Sequence, residues 1–169
     1  DSLYMLRKPI NIGVIGVGHL GEHHAKHYSN IPDINLVGVY DIDFKRSAYI
    51  AKKYKTVFFK ELKKLIENVD ALSIVTPTPS HYRTAKLCIE KKKHVFIEKP
   101  ITVTLEEANK LLELGKKNST IIQVGHIERL NPALMALEKY DINPKFIEIQ
   151  RLAPYTIRGT DVPVVLDKM

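Results

Sequence analysis

A doubly wound parallel α/β sheet is predicted by three observations. Short β-branched runs alternate with helical stretches along most of the chain. Four of those runs end in small or polar clusters, and the first opens through Gly16-x-Gly18-x-x-Gly21 directly into a helix. In an open parallel sheet the carboxyl ends of the strands share one edge, and ligands bind there, where the strand order reverses. The clusters Gly16 to Gly21, Thr76 to His81, Glu98-Lys99-Pro100 and Gly125-His126 are therefore expected to meet at one site.

Taken in order, Ile10 to Ile15 reads as a strand and His19 to Asn30 as a helix that stops before Pro32. Ile34 to Tyr40 is a second strand ending in Asp41, Phe44 to Tyr54 a helix, and Val57 to Phe59 a short strand. Glu61 to Glu67 is a helix, Ala71 to Val75 a strand, Ser80 to Lys92 a helix, and Val95 to Ile97 the fifth strand. Thr104 opens a helix with Glu107 three residues on, a capping-box spacing, and Ile121 to Val124 is the sixth strand. The pattern changes after Gly125. Asn131-Pro132 starts a helix to about Tyr140, and Lys145 to Leu152 alternates as a strand with one solvated face. The expected organisation is a dinucleotide-binding domain over 1–125 and the start of an α+β substrate domain over 126–169.

At 169 residues the chain can hide roughly two-thirds of its unfolded surface. Its 44% hydrophobic and 27% charged composition is that of a globular protein, and no apolar run approaches the ~20 residues that span a bilayer. No membrane span is expected. The amino terminus has no secretory-signal pattern and Cys88 is the single cysteine, so a reducing cytoplasm is expected. The net charge of +7 comes from lysines scattered over helix faces without interleaved stacking aromatics, which argues against nucleic acid and is compatible with anionic small molecules.

The glycine fingerprint carries the first chemistry. Gly16 permits a tight turn, Gly18 leaves room for a pyrophosphate, and Gly21 lets helix and strand pack closely, while the helix start at His19 and Leu20 offers N–H groups to phosphates. Asp41, about 20 residues on, is placed to accept from ribose hydroxyls and to repel a 2′-phosphate, which favours NAD over NADP. Arg46 or Lys45 pairing with that phosphate is one competing reading, and a strand-end aspartate that only caps the next helix is the other.

At the fourth tip, Thr76 and Pro77 are placed to touch ribose or nicotinamide, Ser80 to cap the next helix, and His81 to face either cofactor or solvent. Glu98-Lys99-Pro100 is the catalytic candidate. A lysine at the mouth of a buried strand, beside the switch point and ahead of a proline that restricts its backbone and can be cis, would project toward the nicotinamide. Near a cationic ring its ammonium is disfavoured, which suits an amine exchanging a proton with a hydroxyl; a surface lysine pairing with Glu98 is the alternative. His23, His24 and His27 read as helix-surface residues with no third type of metal ligand nearby, and Cys88 as a small core residue.

These residues resemble the glucose-fructose oxidoreductase, inositol dehydrogenase and rhizopine catabolism (Gfo/Idh/MocA) family. The resemblance covers nearly the whole chain and rests on Gly16 to Gly21, Thr76-Pro77 to His81 and, above all, Glu98-Lys99-Pro100. It implies a Rossmann domain, a nicotinamide cofactor, a sugar substrate, a homo-oligomeric full-length form and a catalytic role for Lys99. The stretch Val124 to Ala133 looks like a branch that includes UDP-N-acetylglucosamine 3-dehydrogenases, which would put His126, Arg129 and Asn131 near the sugar or diphosphate; the bland reading of Asn131-Pro132 is a helix start. Asp167-Lys168-Met169 looks like the beginning of the family's Asp-x-x-x-His pattern, which would make Asp167 catalytic. The chain ends before the histidine, so it reads as truncated. An NAD-dependent nucleotide-sugar dehydrogenase is the expectation, with an inositol or simple-sugar dehydrogenase and a non-catalytic NAD-binding module as alternatives.

Overall fold

The computed structural model describes residues 8–148 and 150. Six strands, β1 (Ile10–Ile15), β2 (Ile34–Tyr40), β3 (Val57–Phe58), β4 (Ala71–Ile74), β5 (His94–Ile97) and β6 (Ile122–Val124), make one sheet in the order β3-β2-β1-β4-β5-β6. Every neighbouring pair is parallel. The connecting helices are α1 (His19–Tyr28), α2 (Phe44–Lys53), α3 (Leu62–Glu67), α4 (His81–Glu90) and α5 (Leu105–Asn118). Strand order reverses between β1 and β4. Sequence reasoning set the fifth strand beside that point; β4 intervenes, and β5 lies one strand further out.

Successive strand residues face opposite sides of the sheet, and the core divides accordingly. Val14 packs with Val17, Ala25, Val39, Ile50 and Ala51, so α1 and α2 lie over its side. Its neighbour Ile15 joins Leu65, Leu72, Ile74, Ile89 and Leu111, a cluster fed by α3, α4 and α5. Each fully buried Ile or Leu contributes on the order of 1.5–3 kcal/mol. Both faces are covered, as a parallel sheet requires.

Local chemistry fixes the helix starts. Asp43 caps α2 by accepting from the amides of Lys45 at 2.9 Å and Arg46 at 3.1 Å. Thr104 and Glu107 form the expected capping box on α5. Ser80 makes no side-chain cap on α4. A 3-10 turn over Thr78–Ser80 runs straight into that helix and keeps Ser80 helical (φ −92, ψ −13), so its hydroxyl is not presented to the first amides.

The chain forms two compact bodies, one through Gly125 and one from His126. The second contains a 3-10 turn, Ile127–Leu130, and the short helix α6 (Pro132–Met135). The helix expected to reach Tyr140 is cut short because α6 buries none of its residues, and a helix without a packed face is marginal at this length. Residues 145–148 and 150 lie in no strand, contrary to expectation; no partner strand runs beside them among the described residues, and the rest of 145–152 lies outside those residues. No helix among the described residues is long and apolar enough to cross a membrane.

Candidate functional site

Backbone hydrogen bonds join the strand tips in one row. The Gly16 amide donates to Tyr40 O (2.8 Å), Val75 to Ile15 O (2.8 Å), Glu98 to Ile74 O (3.0 Å) and Gly125 to Ile97 O (2.8 Å). The ends of β2, β1, β4, β5 and β6 are thereby tied edge to edge. Gly16, Asp41, Thr76, Glu98, Lys99 and Gly125 all sit along that edge.

The three cradle glycines do different work. Gly16 has φ +84, and a Cβ there would stand 2.7 Å from Val75 O. A Cβ on Gly21 would run into the Gly16 carbonyl oxygen, so the close approach of α1 to the turn depends on its absence. Around Gly18, at the N-cap of α1, a Cβ would meet nothing within 4 Å. That open space lies over the first turn of the helix, where exposed His19 and half-buried Leu20 follow and backbone N–H groups lack helical partners.

Asp41 faces this loop. Its Oδ2 accepts from the Val17 amide at 2.7 Å and its Oδ1 from the Asp43 amide at 2.9 Å. The helix cap is therefore Asp43, and Asp41 is left to brace the cradle. Arg46 donates through Nε to Val17 O (2.8 Å) and through Nη2 to Glu22 Oε2 (2.5 Å). The other Glu22 oxygen takes Lys53 Nζ at 2.7 Å and the Tyr54 hydroxyl at 3.3 Å. Hydrogen bonds from Lys53 and then Arg46 hold the Glu22 carboxyl down to about 2.

On the β4 side, Thr76 Oγ1 is buried without a hydrogen-bond partner among the described residues. His81 is 1% exposed, so it faces neither cofactor nor solvent. Its Nε2 lies 2.7 Å from Thr76 O and its Nδ1 2.9 Å from Pro100 O, which ties the β4 tip to the Glu-Lys-Pro turn. The Lys99-Pro100 peptide is cis, and Lys99 is half-buried.

His24 is the residue sequence reasoning missed. It is half-buried, not a surface histidine: Nε2 donates to Glu98 Oε1 at 3.0 Å and Nδ1 lies 2.8 Å from Ser73 Oγ, and that hydroxyl oxygen accepts from Tyr28 OH at 3.4 Å. An ionised carboxylate only accepts, so Nε2 carries the proton in this contact. Burial opposes charge on Glu98, but the hydrogen bond and charge of His24, the Lys99 amide and the charge of His81 together hold its carboxyl below the usual glutamate range. The helical position of His24 was visible in the sequence; its partner, 74 residues on, was not.

His126, Arg129 and Asn131 belong to the second body, where His126 precedes the 3-10 turn and all but Asn131 are exposed. Asn131 caps α6, accepting from the Ala133 amide at 2.9 Å, and its Nδ2 donates to Glu128 Oε2 at 2.8 Å. Asp167 lies outside the described residues. Cys88 is buried in the core, which pushes its thiol up to about 12. Among the described residues no group of three or more His, Cys, Asp or Glu could hold a metal.

The edge fits a dinucleotide: open space at Gly18 for a pyrophosphate, a carboxylate at Asp41, and a buried, unsatisfied hydroxyl at Thr76 of the kind that calls for a ligand or water. Residues 10–126 match the oxidoreductase family with an NAD-binding Rossmann fold. The chain is 39% identical over 158 residues to the UDP-N-acetylglucosamine 3-dehydrogenase of Acidithiobacillus ferrooxidans, covering 93% of this chain and 50% of that protein. A solved structure of UDP-N-acetylglucosamine 3-dehydrogenase from that organism superimposes with a TM-score of 0.87 at 38% identity, over 94% of this chain and 52% of the other. Identity to the scyllo-inositol 2-dehydrogenase (NAD(+)) of Bacillus subtilis is 34% over 128 residues, 73% of this chain and 37% of that one. The chain thus spans about half the length, or less, of these curated relatives.

Proposed function

From the premise that the chain belongs to the oxidoreductase family with an NAD-binding Rossmann fold, we propose that its first body holds NAD and that the protein oxidises a secondary hydroxyl of a nucleotide sugar. The observation that carries this is the strand-tip row, which brings the open cradle at Gly18 and the unsatisfied Thr76 hydroxyl to the same edge as Lys99. A bound nicotinamide would supply the hydride acceptor. Gly18, His19 and Leu20 offer backbone N–H groups and the helix start to the pyrophosphate, and Gly16 and Gly21 shape the cradle through the tight turn and the close approach of α1. Asp41 takes the adenosine ribose, and its negative charge favours NAD over NADP. Thr76, Pro77 and Glu98 line the nicotinamide side, with His81 holding the Thr76 and Pro100 carbonyls in place.

Lys99 is the proposed exchanger of the hydroxyl proton, with Asp167 as its proposed partner and His126, Arg129 and Asn131 toward the substrate. Support for a UDP-N-acetyl-hexosamine, oxidised at its 3-hydroxyl, comes from a relative of that name that aligns over 93% of the chain. A second reading, an inositol or simple-sugar dehydrogenase, is favoured by the similarity to the scyllo-inositol enzyme. The lone, buried cysteine suits a reducing cytoplasm. In the test, wild type and Lys99→Ala are given NAD with UDP-N-acetylglucosamine or with inositols while reduced-cofactor absorbance is followed. The proposal expects turnover that requires the UDP moiety, and a variant that binds NAD normally but loses most turnover. Undiminished turnover in Lys99→Ala would remove Lys99 from the mechanism.

A further inference from the structure

We propose that Glu22 is a specificity-determining residue for the cofactor: by holding Arg46, with Lys53 on its other oxygen, it denies the guanidinium to a 2′-phosphate and biases the cradle toward NAD. The inference rests on the dinucleotide reading above. Arg46 stands in the first turn of α2, beside the loop that Asp41 braces, and a guanidinium there is the group that would grip a ribose phosphate through paired N–H donors. One edge of its fork is already committed: Nε donates to Val17 O, and Nη2 to Glu22 Oε2 at 2.5 Å and to Gly18 O at 3.5 Å.

Lys53 comes from the last turn of the same helix and is drawn to the opposite oxygen of the same carboxylate at 2.7 Å. One glutamate therefore engages both cations, and the Tyr54 hydroxyl adds a third donor. With its carboxyl down at about 2, Glu22 is ionised throughout the neutral range. Asp41 repels a 2′-phosphate directly, whereas Glu22 acts through Arg46, so the two exclude it by different routes.

Removing the Glu22 charge changes the local balance from two acids against two bases to one against two. Arg46 then keeps its contacts to Val17 O and Gly18 O, and its Nη2 is released from the carboxylate. Calorimetric titration of NAD and NADP into wild type, E22Q, Glu22→Ala and the double variant E22Q/R46Q separates the outcomes. E22Q and Glu22→Ala are expected to bind NADP on the order of tenfold more tightly than wild type, with NAD affinity changed by less than about threefold. Adding Arg46→Gln should abolish the gain, because the released guanidinium is its source. Glutamine conserves shape and alanine favours the helix, so at least one variant is expected to fold, which melting curves check. An unchanged NADP-to-NAD ratio in folded E22Q or Glu22→Ala, or a gain that survives Arg46→Gln, overturns the inference while leaving the dinucleotide reading intact. Wild type that binds neither coenzyme overturns that reading and takes the inference with it.

Discussion

Alanine at each of the three cradle glycines should give three different phenotypes. At Gly18 the new methyl meets nothing within 4 Å and the backbone has φ −62, so the fold has room for it. Alanine is a poorer N-cap than glycine by ~0.5 kcal/mol, and its smaller unfolded-state freedom offsets about as much. The melting temperature should stay within ~2 °C of wild type. The methyl stands in the space a pyrophosphate needs, however, so NAD affinity should fall at least ~10-fold, about 1.4 kcal/mol.

At Gly16 the strain is in the fold itself. Alanine at φ +84 costs ~1–2 kcal/mol, and a Cβ 2.7 Å from a backbone carbonyl adds ~1–3 kcal/mol of overpacking. At ~2–4 °C per kcal/mol, melting should drop by roughly 5–15 °C. Gly21→Ala pushes α1 off the Gly16 carbonyl, so stability and binding should fall together. Melting by circular dichroism and titration calorimetry with NAD read the two quantities separately. A Gly18→Ala protein with wild-type affinity for NAD, or a Gly16→Ala protein that melts with wild type, would refute the reasoning.

Three further outcomes follow from the same geometry. His24→Ala strips a half-buried carboxylate of its donor and should cost ~1.5–3 kcal/mol at neutral pH. Because Glu98 has its pKa lowered from 4.5 in the fold, its stabilising share is full above 4.5 and fades as pH falls through the lower folded value. The gap between wild type and His24→Ala in denaturant melts should therefore narrow in acid; a gap that widens contradicts the pairing. Asp41→Ala should relax discrimination between NAD and NADP, and a wild type that already prefers NADP means Asp41 has been misread. Cys88, with its thiol pushed up to about 12, should resist iodoacetamide at pH 8 until the protein unfolds. Stoichiometric labelling of the native state would place it outside the core.

What the sequence made legible was local or periodic. The strands from Ile10 to Val124, the capping box at Thr104 and the glycine turn depend on neighbours within a few residues, and each formed within a residue or two of its expected limits. Asp43, two residues beyond the strand-end Asp41, caps α2 because the helix begins at Phe44. Contacts between distant residues were illegible. His24 meets Glu98 across 74 positions, and His81 meets Pro100 across 19, because the parallel crossovers bring those tips together. Pattern alone also overextended the segment after Asn131, where helix and strand periodicity had no described surface to pack against.

The central claim is that the tips of β1, β2, β4 and β5 form one dinucleotide site. Amide chemical shifts followed by NMR during titration with NAD test it most directly. The account predicts saturable shifts concentrated at Gly16 to Gly21, Asp41, Thr76 and Lys99. No saturable change, or changes confined to the groove lined by Lys63, Glu67 and Lys91 between α3 and α4, would contradict it.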